Sequence, residues 1–122
     1  MRLTKLHPEL RALTGQVGDN LSDLAPVSGS FCHTIRAEIG ARGEQGADAF
    51  EFEVCSPEWL EAELNSYPIL HGGRRLITKR FNPVEVEEYV RKRLLHASGP
   101  DWETVVARLG QWLRWEFENY ES

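Results

Sequence analysis

The chain lacks any apolar run long enough to cross a membrane, since such a helix needs about 18 consecutive apolar residues. Segment 1–8 is charged but no apolar run follows it, so we predict no secretory signal and a cytoplasmic location. Cysteine is scarce: Cys32 and Cys55 form no Cys-x-x-Cys pair, and neither has a histidine at metal-ligand spacing. We therefore expect neither a disulfide framework nor a metal site.

The short motifs of common catalytic and cofactor-binding loops are also absent. The sequence contains no Gly-x-x-x-x-Gly-Lys-Ser/Thr, no Gly-x-Gly-x-x-Gly, no Gly-x-Ser-x-Gly and no His-Glu-x-x-His. Internal repeats and low-complexity tracts are absent as well. We accordingly predict no catalytic residue and no cofactor.

The composition is that of one globular domain. Of 122 residues, 41% are hydrophobic and 27% charged, and we expect a single domain over 1–122. Acidic residues outnumber basic ones by 19 to 14, giving a formal charge of −5 and a pI of about 5.4. Nucleic acids and anionic membranes are repelled by such a field, whereas a basic protein partner is attracted.

A β-hairpin is the clearest structural pattern in the sequence. Segments 31–39 and 50–54 alternate apolar and polar residues with a period of two. The stretch between them, 40–46, is rich in glycine, which tolerates the positive φ angles of tight turns. We therefore predict strands at 30–40 and 47–55.

The alternation also predicts the register of this hairpin. Placing Ile35 opposite Phe52 puts the apolar side chains of both strands on one face, and a slip of one residue would expose all of them. Other pairs in this register are Arg36 with Glu51, a candidate ion pair, and Cys32 with Cys55. A disulfide between the two cysteines is geometrically conceivable, but a cytoplasmic protein is expected to keep both thiols reduced.

The other elements indicate an α+β fold: a small antiparallel sheet built on the 30–40/47–55 hairpin and packed by about three helices. Ser56, Asn82 and Asp101 are each typical of a helix N-cap. The predicted elements are an edge strand at 2–7, a loop with one helical turn at 8–29, a helix from Pro57 to before Pro68 with Leu60, Leu64 and Tyr67 on one stripe, a strand at 74–81, a helix from Pro83 to about Ala97, and a helix after Asp101. The segment from about 114 fits a closing strand or a continued helix, and Gly110 favours the break that a strand requires.

Several side chains are candidates for chemistry, and each also has a structural explanation. Glu51 and Glu53 project from one strand face, as paired catalytic carboxylates do, but so does any solvated sheet face. Cys55 precedes a helix start, yet no base can be placed beside it. His33 lies on the predicted core face, and the basic segment 74–80 fits either a phosphate site or a charged sheet edge. A hydrolase that uses Glu51, Glu53 or Cys55 is therefore one alternative.

The C-terminal segment is the candidate partner-binding site. Three of the four tryptophans lie between 102 and 115, and in 115–120 aromatic residues interleave with carboxylates. This composition is typical of protein interfaces, where aromatic residues anchor and acidic groups steer a basic partner. The predicted partner-binding residues are Trp115, Glu116, Glu118 and Glu121. A strand with its aromatic residues facing inward and its carboxylates outward produces the same pattern.

Several local motifs together resemble the Immunity protein 8 family of bacterial polymorphic toxin systems. The residues that carry the likeness are 37–40, 46, 50–60, 73–74, 76–77, 101–102 and 115–120. The more specific of them are Ser-Pro-x-Trp-Leu at 56–60 and Trp-Glu-Phe-Glu at 115–118. The chain departs from the family at Asn119, where aspartate is more frequent, and at Arg75, where histidine is common.

The resemblance implies a small α+β protein, encoded beside a toxin gene, that protects the producing cell by binding the toxin's C-terminal domain. Such a protein performs no turnover and needs no cofactor. The acidic surface suits a basic toxin such as a nuclease, because complementary charge speeds encounter. The alternative to an enzyme or an immunity protein is a small cytoplasmic adaptor, whose gene would lie away from toxin genes.

Overall fold

The computed structural model describes residues 5–16 and 18–118 of the chain. The elements in chain order are β1 (Pro8–Thr14), a 3-10 turn (Leu21–Asp23), β2 (Val27–Ser28), β3 (Cys32–Ala41), β4 (Asp48–Cys55), α1 (Pro57–Ser66), β5 (Arg75–Ile77), β6 (Arg80–Phe81), α2 (Pro83–Leu94), α3 (Trp102–Leu109) and β7 (Arg114–Trp115). A mostly antiparallel five-stranded sheet, a two-stranded sheet and three α-helices make this an α+β fold, as the sequence predicts.

The predicted hairpin is confirmed as β3 and β4. Its register pairs Ile35 with Phe52, which are 0% and 2% exposed, so the predicted core face is the real one. The turn between the strands contains Gly43 and Gly46 at φ 83° and 89°. This left-handed region is open to glycine at no steric cost, which explains the glycines of the loop.

Strand β4 lies at the centre of the larger sheet. One edge of β4 pairs with β3, which pairs in turn with β1, and both contacts are antiparallel. The other edge is shared: the antiparallel β7 lies beside Phe50 and Glu51, and the parallel β5 lies beside Glu53, Val54 and Cys55. The C-terminal segment and the segment after α1 are therefore neighbours along this edge.

Strand β1 corrects the prediction of a loop over 8–29. Residues 2–4 of the predicted edge strand at 2–7 lie outside the described residues, and Leu6 forms an isolated bridge with Gly99. The buried residues of β1 include Leu10 and Leu13, which are three residues apart because the register shifts between Leu10 and Ala12. This irregularity removes the period-two signal. The helical turn predicted within 8–29 is confirmed at Leu21–Asp23.

Helices α2 and α3 cover the apolar face of the sheet. The buried residues of the two helices are Pro83, Val86, Val90, Leu94, Val105, Val106 and Leu109. They pack with the core-facing residues of β3 and β4 in one cluster, and the ring of Trp112 lies 5.8 Å from that of Phe52. Helix α2 ends at Leu94, earlier than predicted, because the backbone of 95–97 continues in tighter three-residue turns.

The three predicted helix caps are present. The side chains of Ser56, Asn82 and Asp101 accept hydrogen bonds from the backbone N–H groups of Trp59, Val84 and Thr104. Two of these helices also begin with proline at the first helical position, where its missing N–H has no helical partner anyway. The cap rules therefore locate all three helix starts.

One sequence prediction is wrong in this part of the chain, and one predicted apolar stripe is exposed. The strand predicted at 74–81 is two strands, because the chain bends at 78–79 and β6 leaves the main sheet to pair with β2. The predicted apolar stripe of α1 is not a core face: Leu64 is 44% exposed and Tyr67 60% exposed. Within the described residues no helix has both the length and the apolar character needed to span a membrane.

Candidate functional site

The second face of the large sheet is open along much of its length and contains the candidate site. Its outward side chains are polar and include Thr34, Arg36, Glu51, Glu53 and Arg114, in the alternation that the hairpin register requires. A shallow groove of about 360 Å³ runs over this face. The groove is lined by Thr34, Glu51, Phe52, Glu53, His71, Gly73, Arg74, Arg75 and Arg114.

Glu53, one of the two candidate carboxylates of this face, is paired with an arginine. Arg75 Nε donates a hydrogen bond of 2.7 Å to Glu53 Oε1, and this bond raises the pKa of the Arg75 guanidinium. Arg75 also donates to the carbonyl of His71 and lies 5.8 Å from the ring of Trp59 on α1. Because Glu53 is held by a fixed cation, the pair Glu51 and Glu53 is not an acid–base couple of the kind a hydrolase uses.

The predicted contact between Arg36 and Glu51 is formed in the register but not as an ion pair. The two residues are Cα partners across β3 and β4. The guanidinium of Arg36 instead lies 3.9 Å from Glu38, two residues along the same strand. Residues at i and i+2 share a strand face, so both pairings were available to Arg36.

The two cysteines meet as the register predicts. Their Sγ atoms are 2.9 Å apart, both thiols are free, and Cys55 is fully buried. Burial raises the pKa of both thiols, so neither is the thiolate that nucleophilic chemistry requires. Cys32, Cys55 and Glu53 place their ligand atoms within 4.8 Å of one another. Of these three groups, the Glu53 carboxylate already accepts a hydrogen bond from Arg75.

His33 packs among aromatic rings at the rim of the core, on the face that the register predicts. Its ring lies 4.7 Å from that of Phe81 and 5.7 Å from that of Phe31. Its Nε2 atom is buried and has no hydrogen-bond partner among the described residues. These contacts place His33 among aromatic rings and not beside a group that it could activate.

The structure places Trp115 and Glu116 on the closing strand and the turn after it, where both bond to the start of β4. Glu116 exchanges backbone and side-chain contacts with Ala49: its N–H donates to the Ala49 carbonyl at 2.9 Å, and its Oε1 accepts from the Ala49 N–H at 2.8 Å. Trp115 Nε1 donates to Asp48 Oδ2 at 3.0 Å, and Trp102 Nε1 donates to the same oxygen at 2.8 Å. Asp48, which sequence reasoning did not single out, therefore holds both tryptophans.

Glu118 forms a salt bridge with Arg74, one of the residues that line the groove. The two Nη atoms of Arg74 donate to the two carboxylate oxygens of Glu118 at 2.7 and 2.8 Å, and one of them also reaches the Gly110 carbonyl at 3.3 Å. These bonds lower the pKa of Glu118 and raise that of Arg74. Arg74 has φ 62°, a conformation that is rare for a residue with a side chain and that often marks a functional or tightly constrained position.

The model of the family described as Immunity protein 8 matches residues 9–120. This chain belongs to the Immunity protein 8 family. No curated protein and no solved structure matches it.

The residues that carry the resemblance to Immunity protein 8 meet at two places in the fold. Ser56, Trp59 and Leu60 begin α1, where Ser56 Oγ accepts from the N–H groups of both Trp59 and Phe31. The other place is the groove end, where Arg74 of the Gly-Arg motif binds Glu118 of the C-terminal motif. Both places border the open face of the sheet. The two remaining C-terminal positions of interest, Asn119 and Glu121, lie outside the described residues.

Proposed function

We propose that this Immunity protein 8 member binds and neutralises a cognate toxin domain by a non-catalytic protein–protein contact. The observation that carries the proposal is the family match over residues 9–120. The open polar sheet face supports it, since Glu53, one of the candidate catalytic groups on that face, is held by Arg75. The protein then acts by occupying the toxin and needs no cofactor.

The chemistry of the toxin is proposed from the charge of this chain. A formal charge of −5 attracts a basic protein and speeds encounter with it. A nuclease is a suitable basic toxin, because it must itself bind a polyanion. The proposed setting is the cytoplasm of the bacterium that makes the toxin, from a gene beside that of this protein.

Four residues of the C-terminal segment are proposed to take part in the interface: Trp115, Glu116, Glu118 and Glu121. The bonds of Glu116 to Ala49 and of Glu118 to Arg74 fix the backbone of this segment against the sheet edge. A fixed segment loses little conformational freedom when a partner binds, which favours affinity. Phe117, between the two glutamates, is 39% exposed and adds apolar surface.

Co-expression tests the protective function. The C-terminal domain of the toxin encoded beside this gene is expressed in a sensitive host with and without this protein. We expect survival with the protein and killing without it. Equal killing in both cultures would contradict the proposal.

Recovery of the toxin from the complex tests the mechanism. A complex of the two proteins is isolated, dissociated in denaturant, and the refolded toxin is assayed and weighed by mass spectrometry. A non-catalytic inhibitor returns toxin of unchanged mass and full activity. A cleaved or modified toxin would instead support an enzymatic mechanism, and toxin that never co-purifies would support an adaptor for another partner.

A further inference from the structure

Helix α1 is the least embedded helix of the fold. None of its ten residues is buried, whereas α2 has four buried residues and α3 has three. Trp59, Leu60 and Glu63, which lie on the side toward the sheet, are only half-buried. Most helix stability in proteins comes from packing an apolar face. The outer side of α1 is therefore an accessible surface on the same face of the sheet as the groove.

Three large side chains are exposed at the end of α1 and just after it. Leu64 is 44% exposed, Tyr67 60% and Ile69 89%. Single exposed apolar residues are normal on protein surfaces, but here three lie within six residues of the chain. Side chains of this kind form the anchors of protein interfaces when a partner covers them.

The part of the chain that contains α1 is also acidic. Between 43 and 73 the sequence has no lysine or arginine, and its carboxylates are Glu44, Asp48, Glu51, Glu53, Glu58, Glu61 and Glu63. Glu58 and Glu61 are exposed on α1 and form no ion pair with any described residue. Glu118 differs, because its carboxylate is already neutralised by Arg74.

We propose that the α1 surface, defined as Glu58, Glu61, Leu64, Tyr67 and Ile69, is the principal docking site for a basic patch of the toxin domain. This inference rests on the proposed function and identifies the surface that performs it. The apolar side chains enter a pocket on the toxin, and the two glutamates face the lysines or arginines around that pocket. The C-terminal segment and the groove then form the neighbouring rim of one continuous interface.

The apolar half of the α1 surface is tested with the double variant Tyr67→Ser/Ile69→Ser. Binding to a catalytically inactive form of the neighbouring toxin's C-terminal domain is measured by calorimetry. We expect the affinity to fall by at least about 30-fold, the effect of removing one interface hot spot. The matched control is Leu95→Ser, at a residue 70% exposed beyond the end of α2. Its affinity should equal that of the wild type.

The acidic half is tested by the charge reversal Glu58→Lys/Glu61→Lys. The association rate should fall by about tenfold at low salt and by much less at high salt, since salt screens exposed charges. Glu103→Lys on α3 is the control for a change in net charge away from the site, because Glu103 is also exposed. Thermal unfolding of each variant should stay close to that of the wild type, because every substituted side chain is exposed. Glu58→Lys and Glu103→Lys should each lower the stability slightly and to a similar extent, since both glutamates lie in the first turn of a helix.

The outcomes separate this inference from the proposed function. Wild-type protein that does not bind the toxin would overturn both. Wild-type binding together with α1 variants that bind within twofold of it, or that lose no more than Leu95→Ser and Glu103→Lys, would overturn the α1 docking site alone. Tight wild-type binding that is lost in the α1 variants and kept in both controls supports it.

Discussion

At the scale of single residues, the Arg74–Glu118 pair predicts a pH-dependent stabilisation of the fold. The hydrogen bonds from Arg74 lower the pKa of Glu118. A carboxyl whose pKa is lower in the folded state stabilises the fold above its unfolded pKa and loses that effect as the pH falls through the folded value. Glu118→Gln should therefore reduce the free energy of unfolding by about 0.5–1 kcal/mol at neutral pH, the usual scale for a part-exposed pair.

The measurement is urea unfolding of the wild type and Glu118→Gln at neutral pH and at about pH 2.5, where carboxyl groups are protonated. The difference should be present at neutral pH and disappear in acid. Glu87→Gln, which breaks the exposed helical pair with Arg91, is the matched control and should cost less. A difference for Glu118→Gln that persists in acid would show that the carboxylate charge is not its cause.

The two thiols carry a second prediction at this scale. Burial raises the pKa of Cys32 and of Cys55, and Cys55 is fully enclosed. Alkylation requires an accessible thiolate, so iodoacetamide at mildly alkaline pH should modify the native protein slowly and Cys32 before Cys55. Mass spectrometry of timed samples gives the order, with urea-unfolded protein as the fast reference. Rapid modification of Cys55 in the native protein would contradict the burial argument.

At the scale of secondary-structure elements, Ser56 links the hairpin to α1. Its Oγ accepts from the Trp59 N–H at 3.2 Å as a helix cap and from the Phe31 N–H at 3.0 Å across the strands. Ser56→Ala removes the cap and leaves the buried Phe31 N–H without that partner, so we expect a loss of about 1–3 kcal/mol in unfolding free energy.

Asn82→Ala is the comparison for this substitution, since Asn82 caps α2 through the single N–H of Val84. Both variants are measured by denaturant unfolding in the same buffer. Ser56→Ala should cost more, because only Ser56 is fully buried and bridges two elements. Equal losses would mean that the contact with Phe31 contributes nothing beyond the cap.

The elements also show which features local sequence predicts. The hairpin register follows from strict alternation, and the helix starts follow from capping residues, because both signals are local. Strand β1 is not recognisable from its sequence, because its irregular register spaces Leu10 and Leu13 by three residues and not by two. The exposure of the α1 stripe could not be predicted for a different reason: the pattern shows that a helix has an apolar side but not what covers it.

The candidate site was predictable only in part, because a local pattern identifies residues but not the distant residues that they contact. The C-terminal aromatic and acidic pattern led to Trp115, Glu116 and Glu118, and the structure places Trp115 and Glu116 beside β4 and joins Glu118 to Arg74. Their partners Asp48 and Arg74 are distant in sequence, at separations of 67 and 44 residues. Such pairs depend on how the sheet is assembled, and no local pattern encodes them.

At the scale of the whole molecule, the charge distribution predicts how association depends on salt. On the open face Glu58 and Glu61 of α1 form no ion pair with any described residue, while the groove beside them is lined by Arg74, Arg75 and Arg114 together with Glu51 and Glu53. A basic toxin is then attracted to one part of the protein surface and not equally to all of it. We expect the association rate with the inactive toxin domain to fall by about 10- to 100-fold between low and high salt.

Stopped-flow or surface-based kinetics over a range of sodium chloride concentrations measures this dependence. The dissociation rate should change far less than the association rate, because apolar contacts at Tyr67 and Ile69 hold the formed complex and salt does not screen them. The variant Glu58→Lys/Glu61→Lys, which changes the net charge by four units, should flatten the salt dependence strongly, whereas Glu118→Gln, which changes it by one unit and leaves Arg74 without its carboxylate partner, should flatten it much less. If Glu118→Gln flattened it as much, steering would have to come from the C-terminal segment, and if neither did, the toxin surface that meets this protein would not be basic.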